Sequence, residues 1–422
     1  MAKLAIDLTP LKKYPDFRNL WTAGLISYLG SMITYVALPF QLKEITHSYL
    51  AVGVLGVIEI VPLIIFGLYG GVLADSVDRK KMVWATEAGA LLLVLFLLSN
   101  SWFWDPKVII IYIVAGLFAV VDGLQRPSMD AMLPRLVSHE DLPAASALMS
   151  LRWQFGVIIG PTIGGIIFST LSISAGYAVD IATYVISLIF LARVRSVPRS
   201  LEAEKPSLAA LFDGVKYAFS RQDLMGTYLI DLAAMFFAMP NALFPFWADE
   251  IAAPWALGLF YAAGTVGSVI VTLTSGWTRT YRFHGRAVIL AAIGWGLAVA
   301  ASGLTNSLVL ILIFLTIAGA SDMVSALFRG NIWNQTIPDE LRGRLAGIEL
   351  LSYSVGPLAG QLRAASMAAA TTLSISVTSG GLMCVLVVAI LAIFLPKFRK
   401  YDVLTNEFAV QEREKRRKSE NS

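Results

Sequence analysis

Ionisable side chains inside long apolar segments are the residues of this chain best placed to do chemistry. Asp122 and Arg126 lie four residues apart, and Asp322 and Arg329 lie seven residues apart. In a helix, both spacings put the acid and the base on one face. A titratable acid beside a fixed positive charge can couple proton release to substrate binding, so each pair is a candidate coupling site. A purely structural ion pair within each half explains the same spacing.

Further candidates come from the same apolar segments. Glu59 and Arg152 lie too deep for their charged ends to reach water easily, and Asp231 is intermediate in depth. Buried ionisable groups in a membrane are functional candidates by default. We expect Glu59 to carry a proton and Arg152 to attract an anionic substrate, with a salt bridge between neighbouring helices as the alternative for either. Tyr35, two turns after Tyr28, could stack on a ring-bearing substrate, although such aromatic residues more often pack against helices.

Four other ionisable residues lie nearer the ends of their segments, where a structural role is favoured: Glu87, Asp180, Glu349 and Arg363.

The elements that position these residues are membrane spans. Of the 422 residues, 57% are hydrophobic and 15% are charged, with a mean hydropathy of +0.69, which excludes a water-soluble multidomain enzyme. A helix needs about 20 apolar residues to cross the hydrocarbon. Twelve segments are long enough: 20–42, 49–74, 82–99, 108–133, 142–170, 173–192, 224–247, 251–278, 287–304, 307–334, 345–368 and 373–396.

The distribution of Lys and Arg predicts the orientation. With the N-terminus inside, only Lys43 and Lys107 fall outside, and nearly all other basic residues fall in cytoplasmic segments. Because basic residues accumulate in cytoplasmic loops, we expect an even number of spans and both termini in the cytoplasm. The net charge of +4 is therefore explained by the basic residues of the cytoplasmic loops, and we expect no nucleic-acid partner. The basic tail at 412–418 could touch anionic lipid, but a solvated disordered end is favoured.

Other classes of feature are not visible in the sequence. Residues 1–19 are too polar for a cleavable signal peptide, and the first span is too long for one. Cys384 is the single cysteine, so an intrachain disulfide is excluded, and no Cys-His cluster predicts a metal site. No Walker-type loop occurs, and we expect no cofactor.

The longest cytoplasmic connection divides the spans into two sets of six. We predict the following parts: an N-terminal cytoplasmic segment at 1–19, a six-helix bundle at 20–192, a linker with a short interfacial helix at 193–223, a second six-helix bundle at 224–396, and a cytoplasmic tail at 397–422.

The two halves contain related motifs. An Ala-Gly pair precedes an Arg, and a Gly-Pro pair precedes a Gly, in each half: Ala115-Gly116 with Arg126, Ala318-Gly319 with Arg329, Gly160-Pro161 with Gly164, and Gly356-Pro357 with Gly360. Parallel repeats with a binding site near the midplane are typical of secondary transporters.

The segment GGVLADSVDRKK, Gly70–Lys81, follows the second span directly and ends in three basic residues. It resembles the loop between helices 2 and 3 of the major facilitator superfamily, whose pattern is G-x-L-A-D-x-x-G-R-[RK]. Asp78 stands where that pattern has Gly.

The resemblance implies that this loop is a gate. Gly71, Asp75 and Arg79 would stabilise one closed conformation, and Asp130, near the cytoplasmic end of the fourth span, is the candidate partner of Arg79. A tight basic turn that only sets the orientation is the alternative.

The stretch GVIIGPTIGG in the fifth span resembles the Gly-Pro motif that the superfamily associates with exporters and antiporters. Gly156, Gly160, Pro161 and Gly164 would permit bending and close approach of neighbouring helices. Glycine-rich packing without any bearing on transport direction explains the motif as well.

Further motifs narrow the resemblance: FRNLW at 17–21, the charged segment above, and GLFYAA with TSG between 258 and 276. They resemble the enterobactin-exporter group of the superfamily, bacterial exporters of siderophores and other hydrophobic compounds, over essentially the whole chain. The implied fold is all-α, with twelve transmembrane helices in two pseudo-symmetric six-helix bundles and a cavity lined by helices 1, 4, 7 and 10.

The implied function is export of a siderophore-like, hydrophobic or anionic small molecule across the bacterial inner membrane by alternating access. Protons are the expected coupling ion, the bilayer is the expected surrounding, and the protein is expected to be monomeric. A broad-specificity drug efflux pump, an importer and a substrate-sensing receptor are the alternatives. An enzyme is not expected, because no nucleophile-base motif accompanies the scattered acids.

Overall fold

A computed structural model describes the backbone of residues 7–197 and 216–420, and their side chains except at 68–76, 130, 279, 339–344, 346–353, 416 and 418–420. The helices are, in chain order: α1 (Thr9–Lys13), α2 (Pro15–Thr46), α3 (Tyr49–Ser76), α4 (Arg79–Ser101), α5 (Val108–Leu136), α6 (Leu142–Thr170), α7 (Ile173–Ala192), α8 (Gln222–Phe237), α9 (Phe244–Glu250), α10 (Leu257–Thr274), α11 (His284–Ser302), α12 (Leu308–Thr336), α13 (Asp339–Ala370), α14 (Leu373–Phe394), α15 (Pro396–Arg399) and α16 (Glu407–Glu420). No β-strand occurs in these described ranges.

Within the described residues, eleven helical segments are long and apolar enough to cross a membrane. They correspond to eleven of the twelve predicted spans. The twelfth predicted span, 345–368, falls in α13, where most side chains before 354 lie outside the described set. Large apolar side chains such as Leu92 and Phe96 stand more than half exposed on these helices, which suits a lipid surrounding. The structure thus confirms the all-helical membrane fold.

The first helices begin earlier than the sequence pattern predicts. α1 occupies part of the predicted N-terminal segment, and α2 begins at Pro15, where the fixed φ of proline favours the first turn of a helix. Lys13 and the Tyr14 hydroxyl both donate to Asp141, at 2.7 Å each, so this segment is tied to the turn before α6.

The charged segment after the second span is mostly helix rather than loop. α3 continues to Ser76, so Gly71 and Asp75 belong to its last turns, and only Val77 and Asp78 connect it to α4. The expectation that Asp75 follows the helix is therefore wrong. The helix continues because Leu73, Ala74 and their neighbours offer no residue that stops it before Asp78.

Asp78 has a local role that accounts for an acid at this position. It is the N-cap of α4 and accepts hydrogen bonds from the Lys81 backbone N–H, at 3.2 Å, and from the Ser196 hydroxyl. Burial raises the pKa of Asp78, but the hydrogen bonds from Ser196 and from backbone N–H groups outweigh it, so the pKa lies below its ordinary value. Asp78 is therefore held ionised at the positive end of α4.

The C-terminal tail is ordered where the sequence favoured a disordered end. α16 begins after Asn406, whose side chain accepts from the Ala409 N–H at 3.1 Å. The Arg221 guanidinium lies 3.6 Å from the centre of the Phe408 ring, and Ala409 is buried. The apolar start of α16 therefore has a surface to pack on, which composition alone did not reveal.

The chain divides into two compact units, Met1–Pro206 with Ala248–Ala262, and Ser207–Trp247 with Ala263–Ser422. In the first unit α2 packs against α6 and α7, α3 packs against α5, and α4 packs against α5 and α7. In the second unit α8 packs against α13 and α14, and α11 packs against α12 and α14. Most of the predicted interfacial helix in the linker lies outside the described residues, apart from a helical stretch at 216–220.

Candidate functional site

An arginine between two acids is the most distinct charged cluster of the second unit. The Arg329 Nη1 on α12 lies 2.5 Å from the Asp231 Oδ2 on α8. The Arg329 Nη2 lies 3.9 Å from the Asp322 Oδ1, two turns earlier on α12. The side chains of Arg329 and Asp231 are 10% and 5% exposed, whereas that of Asp322 is 37% exposed. One acid is thus buried with the cation, and the other remains accessible.

The distances assign different roles to the two acids. The contact with Asp231 has hydrogen-bonding distance, whereas 3.9 Å is an ion pair without a hydrogen bond. The Nε of Arg329 has no hydrogen-bond partner among the described residues. Asp231 therefore anchors the guanidinium, while Asp322 can exchange its partner for water, a proton or a ligand.

The sequence predicted the pair of Asp322 and Arg329 but missed the closer partner of the arginine. Helical spacing reports only contacts within one helix, and Asp231 is on another helix. One turn beyond this contact, the Trp333 indole N–H donates to the Thr227 hydroxyl at 2.8 Å, and its ring stacks on Tyr228. These contacts fix α8 against α12 beside the charged cluster.

The first unit brings together the other predicted charged residues. Asp122 and Arg126 lie on one face of α5 and are both exposed in this unit, and Glu59 on α3 is half-buried. Glu59 is close enough to Asp122 for their charges to interact, because α3 and α5 pack closely. Asp122, Arg126 and Arg152 all lie within electrostatic range of Tyr28 on α2. Three predicted charged residues therefore gather beside that tyrosine, and Glu59 lies near one of them.

Arg152 on α6 reaches across to α2. A β-carbon added at Gly24 would lie 1.9 Å from the Arg152 Nη1, so a larger residue there would displace the guanidinium. The Met129 methyl group of α5 lies beside the same position. The arginine is thus placed at a junction of three helices, which is a geometry that sequence spacing did not predict.

Tyr35 is 40% exposed and meets Tyr261 edge to face, with ring centroids 5.8 Å apart. The exposed ring of Tyr35 could contact a ring-bearing ligand.

The predicted gate is described only in part. The Arg79 side chain is buried, and its Nη1 donates to the Ala131 carbonyl at 3.2 Å. This fastens the start of α4 to α5, beside Asp130. The side chains of Gly71, Asp75 and Asp130 lie outside the described set, so their gating role stays a prediction.

The glycine motif of α6 forms a helix interface. A β-carbon at Gly156 would lie 2.1 Å from the Tyr28 ring, and one at Gly160 would lie 2.5 Å from the Met32 Cβ. Gly164 faces Ile33 at 3.4 Å, and α6 runs unbroken through Pro161. The motif therefore lets α2 approach α6 closely.

The second unit has the same kind of close helix contact at its glycines. A β-carbon at Gly356 would lie 3.0 Å from the Met235 Cβ, and one at Gly360 would lie 2.5 Å from the Met235 carbonyl oxygen. The repeated sequence motif thus corresponds to a repeated contact, between α6 and α2 in one unit and between α13 and α8 in the other.

As for metals, no cluster of three or more His, Cys, Asp or Glu residues in the described ranges could hold an ion.

Comparison with known proteins gives the family. The sequence profile of the transmembrane secretion effector family matches residues 5–419. The enterobactin exporter EntS of Shigella boydii serotype 18 is 26% identical over 400 residues, which cover 94% of this chain and 95% of that protein.

Solved structures share the fold. The nucleoside transporter NupG has a TM-score of 0.72 at 11% identity, covering 92% of this chain and all of that one. A bacterial homologue of the iron transporter ferroportin, in an inward-facing state, has a TM-score of 0.67 at 16% identity, covering 91% of this chain and 98% of that one. These relatives are transporters and not enzymes. The chain belongs to the transmembrane secretion effector family of the major facilitator superfamily, and is a multi-pass membrane transporter.

Proposed function

We propose that this protein exports a siderophore-like small molecule, or another hydrophobic or anionic one, from bacteria in exchange for protons, by alternating access in the inner membrane. The observation that carries the proposal is the Arg329 guanidinium, held by buried Asp231 and facing the more exposed Asp322. The similarity to an enterobactin exporter over 94% of the chain supports the substrate class. Both termini would lie in the cytoplasm, and the transporter would act as a monomer.

Asp322 is the acid best suited to couple protons to substrate. A catechol can donate its hydroxyl groups to ionised Asp322 and accept a hydrogen bond from Arg329. A proton on Asp322 occupies one oxygen and removes the negative charge that makes the carboxylate a strong acceptor, so the proton and the catechol compete for one carboxylate. Competition for one site is the relation that antiport requires.

The sign of the coupling depends on the chemical group of the substrate. A bare carboxylate has no donor for Asp322 and needs only Arg329. Protonation of Asp322 would then leave Arg329 with fewer counter-charges and strengthen carboxylate binding. A proton would accompany such a substrate, as in symport. Export driven by the inward flow of protons therefore favours a substrate that has hydroxyl donors, such as a catechol.

The first test separates coupling from binding. In vesicles with an imposed pH gradient, we expect Asp322→Asn to lower gradient-driven enterobactin transport about tenfold or more, while exchange of labelled for unlabelled enterobactin continues. The amide keeps the shape of the carboxylate but cannot carry the proton. The matched control is Asp402→Asn, which changes an acid of the same unit in the segment that follows the last span. Gradient-driven transport by Asp322→Asn at the wild-type rate would show that the pair is structural.

A second test addresses substrate class. Arg329→Lys keeps the charge but loses the planar fork of donors. We expect it to reduce enterobactin export more than export of neutral dyes. Preferential export of lipophilic cations that is unaffected by Arg329→Lys would reject this proposal in favour of general drug efflux.

The buried acid gives a different expectation. Asp231→Asn leaves the Arg329 charge without its buried partner, a change that costs about 3–5 kcal/mol in comparable buried pairs. We therefore expect Asp231→Asn to lower the melting temperature in detergent clearly, and Asp322→Asn to change it little. Equal melting temperatures for the two variants would contradict the separate roles of the two acids.

A further inference from the structure

Two buried carboxylates lie in the first unit outside the cluster around Tyr28. Glu87 on α4 is 3% exposed, and Asp180 on α7 is fully buried. Neither forms an ion pair with a described cation. Neutral groups donate to them instead. The Ser27 hydroxyl, at 3.0 Å, and the Gln125 amide, at 2.9 Å, share one oxygen of Glu87.

Asp180 is held in the same manner at the other end of the contact with α2. The hydroxyls of Thr34 and Thr183 donate to its two oxygens. A β-carbon at Gly30 would lie 2.3 Å from the Asp180 Oδ1 and 1.9 Å from the Thr183 Oγ1. Gly30 thus provides the space in α2 that Asp180 occupies.

Three hydroxyl groups on one face of α2 lie between the two acids, and the outer two bond to them directly. Ser27, Ser31 and Thr34 follow each other at spacings of four and three residues, so they share one face of α2. The Ser31 hydroxyl donates to the Ser27 carbonyl at 2.8 Å and pairs with the Tyr184 hydroxyl at 2.8 Å. Each hydroxyl can donate and accept, and the row covers about 10 Å along the helix axis.

Two atoms in this region lack a hydrogen bond of ordinary geometry in the described structure, the Glu87 Oε2 and the Ser187 Oγ, although Ser187 lies close to Glu87. Both are buried. Buried polar atoms in native proteins are almost always satisfied, so such atoms indicate a proton or water position. A buried acid without a paired cation is far less costly when it carries a proton.

The charged groups around the row belong to the first unit as well. Arg152 of α6, which lies against α2 at Gly24, is the cation whose charge reaches Glu87. Asp122 of α5 and Asp180 of α7 both lie within electrostatic range of Tyr184. Gln125 is three residues from Asp122 on α5, so it links Glu87 to the helix that carries a predicted coupling acid.

We propose that Glu87 and Asp180 are two proton-binding sites, and that the hydroxyls of Ser27, Ser31 and Thr34, with water between them, carry protons from one acid to the other. This inference rests on the proposed function, because the proton that these groups carry is taken to be the coupling ion of transport.

The transfer is balanced. The O–H bond of the protonated Asp180 breaks as the Thr34 hydroxyl takes the proton and gives up its own. Water between successive hydroxyls, which lie about one helical turn apart, would pass a proton on to Ser31 and Ser27 in the same way until Glu87 is protonated. Asp180 is left ionised until a proton from the side where α7 begins refills it. With both termini in the cytoplasm, that side is the outside, so protons move inward.

Infrared spectroscopy tests proton binding without any substrate. The purified full-length protein is titrated with acid, and the C=O stretching band of protonated carboxyl groups is recorded. We expect Glu87→Gln and Asp180→Asn each to remove a component of that band. Thr86→Val is the matched control, because among the described residues the buried Thr86 hydroxyl bonds only to the Met82 and Val83 carbonyls of its own helix. An unchanged carboxyl band in the double variant would overturn the proposal.

Transport tests whether these sites carry the coupling proton. We expect Glu87→Gln and Ser31→Ala to slow gradient-driven enterobactin transport about tenfold, with exchange near the wild-type rate. Ser31→Ala breaks the row while leaving both acids in place, so it separates relay from folding. The relay would be overturned if Glu87→Gln and Ser31→Ala both lowered transport, exchange and the melting temperature together. It would also be overturned if neither variant slowed gradient-driven transport. If the wild-type protein shows no gradient-driven enterobactin transport, the proposed function fails, while the infrared titration still decides proton binding.

Discussion

Asp322 and Asp231 show how chemically identical side chains obtain different roles from their surroundings. Asp231 is buried against Arg329, whereas Asp322 is more exposed and 3.9 Å away. The same holds for Asp78, which replaces the glycine of the superfamily pattern and caps α4. At the residue scale, function and stability depend on which group approaches from another part of the chain.

The cap at Asp78 leads to a prediction about stability and pH. Asp78→Ala should lower the free energy of unfolding by about 1 kcal/mol at neutral pH, as for other N-caps. Because the pKa of Asp78 in the folded state is below its ordinary value, the wild-type advantage is present above the ordinary value and is lost as the pH falls through the lowered one. Melting temperatures at neutral and acidic pH measure this difference.

Ser196→Ala provides the control, because it removes one donor to Asp78 and keeps the Lys81 N–H. It should have a smaller effect than Asp78→Ala. A difference between wild type and Asp78→Ala that persists undiminished in acid would argue against an ionised cap.

At the scale of elements, small residues decide which helices can touch. The glycines of α6 face α2, and those of α13 face α8. Apolar side chains gain little free energy by moving from lipid into a helix interface, because lipid tails are equally apolar. Close packing and hydrogen bonds must therefore hold membrane helices together. The row of hydroxyls on α2 and the glycine stripe on α6 are both features of such contacts.

Gly160→Ala tests the close approach of α2 and α6. The new β-carbon would lie 2.5 Å from the Met32 Cβ and 2.8 Å from the Leu29 carbonyl oxygen, so a helix must shift. We expect a loss of about 1–3 kcal/mol, as for other overpacked interiors. The control is Gly330→Ala in α12, where nothing lies within 4 Å of the added carbon. That variant should be unchanged or gain about 0.5–1 kcal/mol, because alanine favours helix. Similar melting temperatures for both variants would contradict the close contact.

The C-terminal helix gives a second prediction at this scale. Phe408→Ala removes the ring on which Arg221 stacks, an interaction worth about 0.5–2 kcal/mol. Arg221 keeps its buried pair with Asp223, at 2.5 Å, so the rest of the second unit should remain folded. We expect faster proteolysis within α16 and little change in the melting temperature, with Phe408→Tyr close to wild type. Protection of α16 in Phe408→Ala equal to wild type would show that the stacking does not hold the helix.

At the scale of the whole molecule, the distribution of basic residues predicts how the chain crosses the membrane. Lys107 lies in the connection between α4 and α5, with its side chain 60% exposed, and Lys400 follows α15 and is exposed. In a Cys384→Ala background, an impermeant thiol reagent should label Lys107→Cys in intact cells and Lys400→Cys only after lysis. Labelling of both positions in intact cells would contradict cytoplasmic termini.

The sequence by itself was sufficient for the features that depend on local composition. The spans follow from the lengths of apolar segments, because every backbone polar group in lipid must be satisfied within a helix. The deep positions of Arg329, Asp322, Asp231 and Arg152 could also be read along the chain. The family resemblance, confirmed over residues 5–419, rested on short motifs whose spacing is likewise local.

Only the tertiary structure decided which of these residues meet. Asp231 and Arg329 are nearly a hundred positions apart in sequence, and Glu87 and Asp180 approach the same face of α2 from two other helices. The periodicity of a helix determines which side chains share a face, but not which helix that face packs against. Likewise the tail was assigned to solvent from its charge, whereas the contact of Phe408 with Arg221 gives it a surface. Contacts between distant segments arise from the packing of whole helices, which no local pattern encodes.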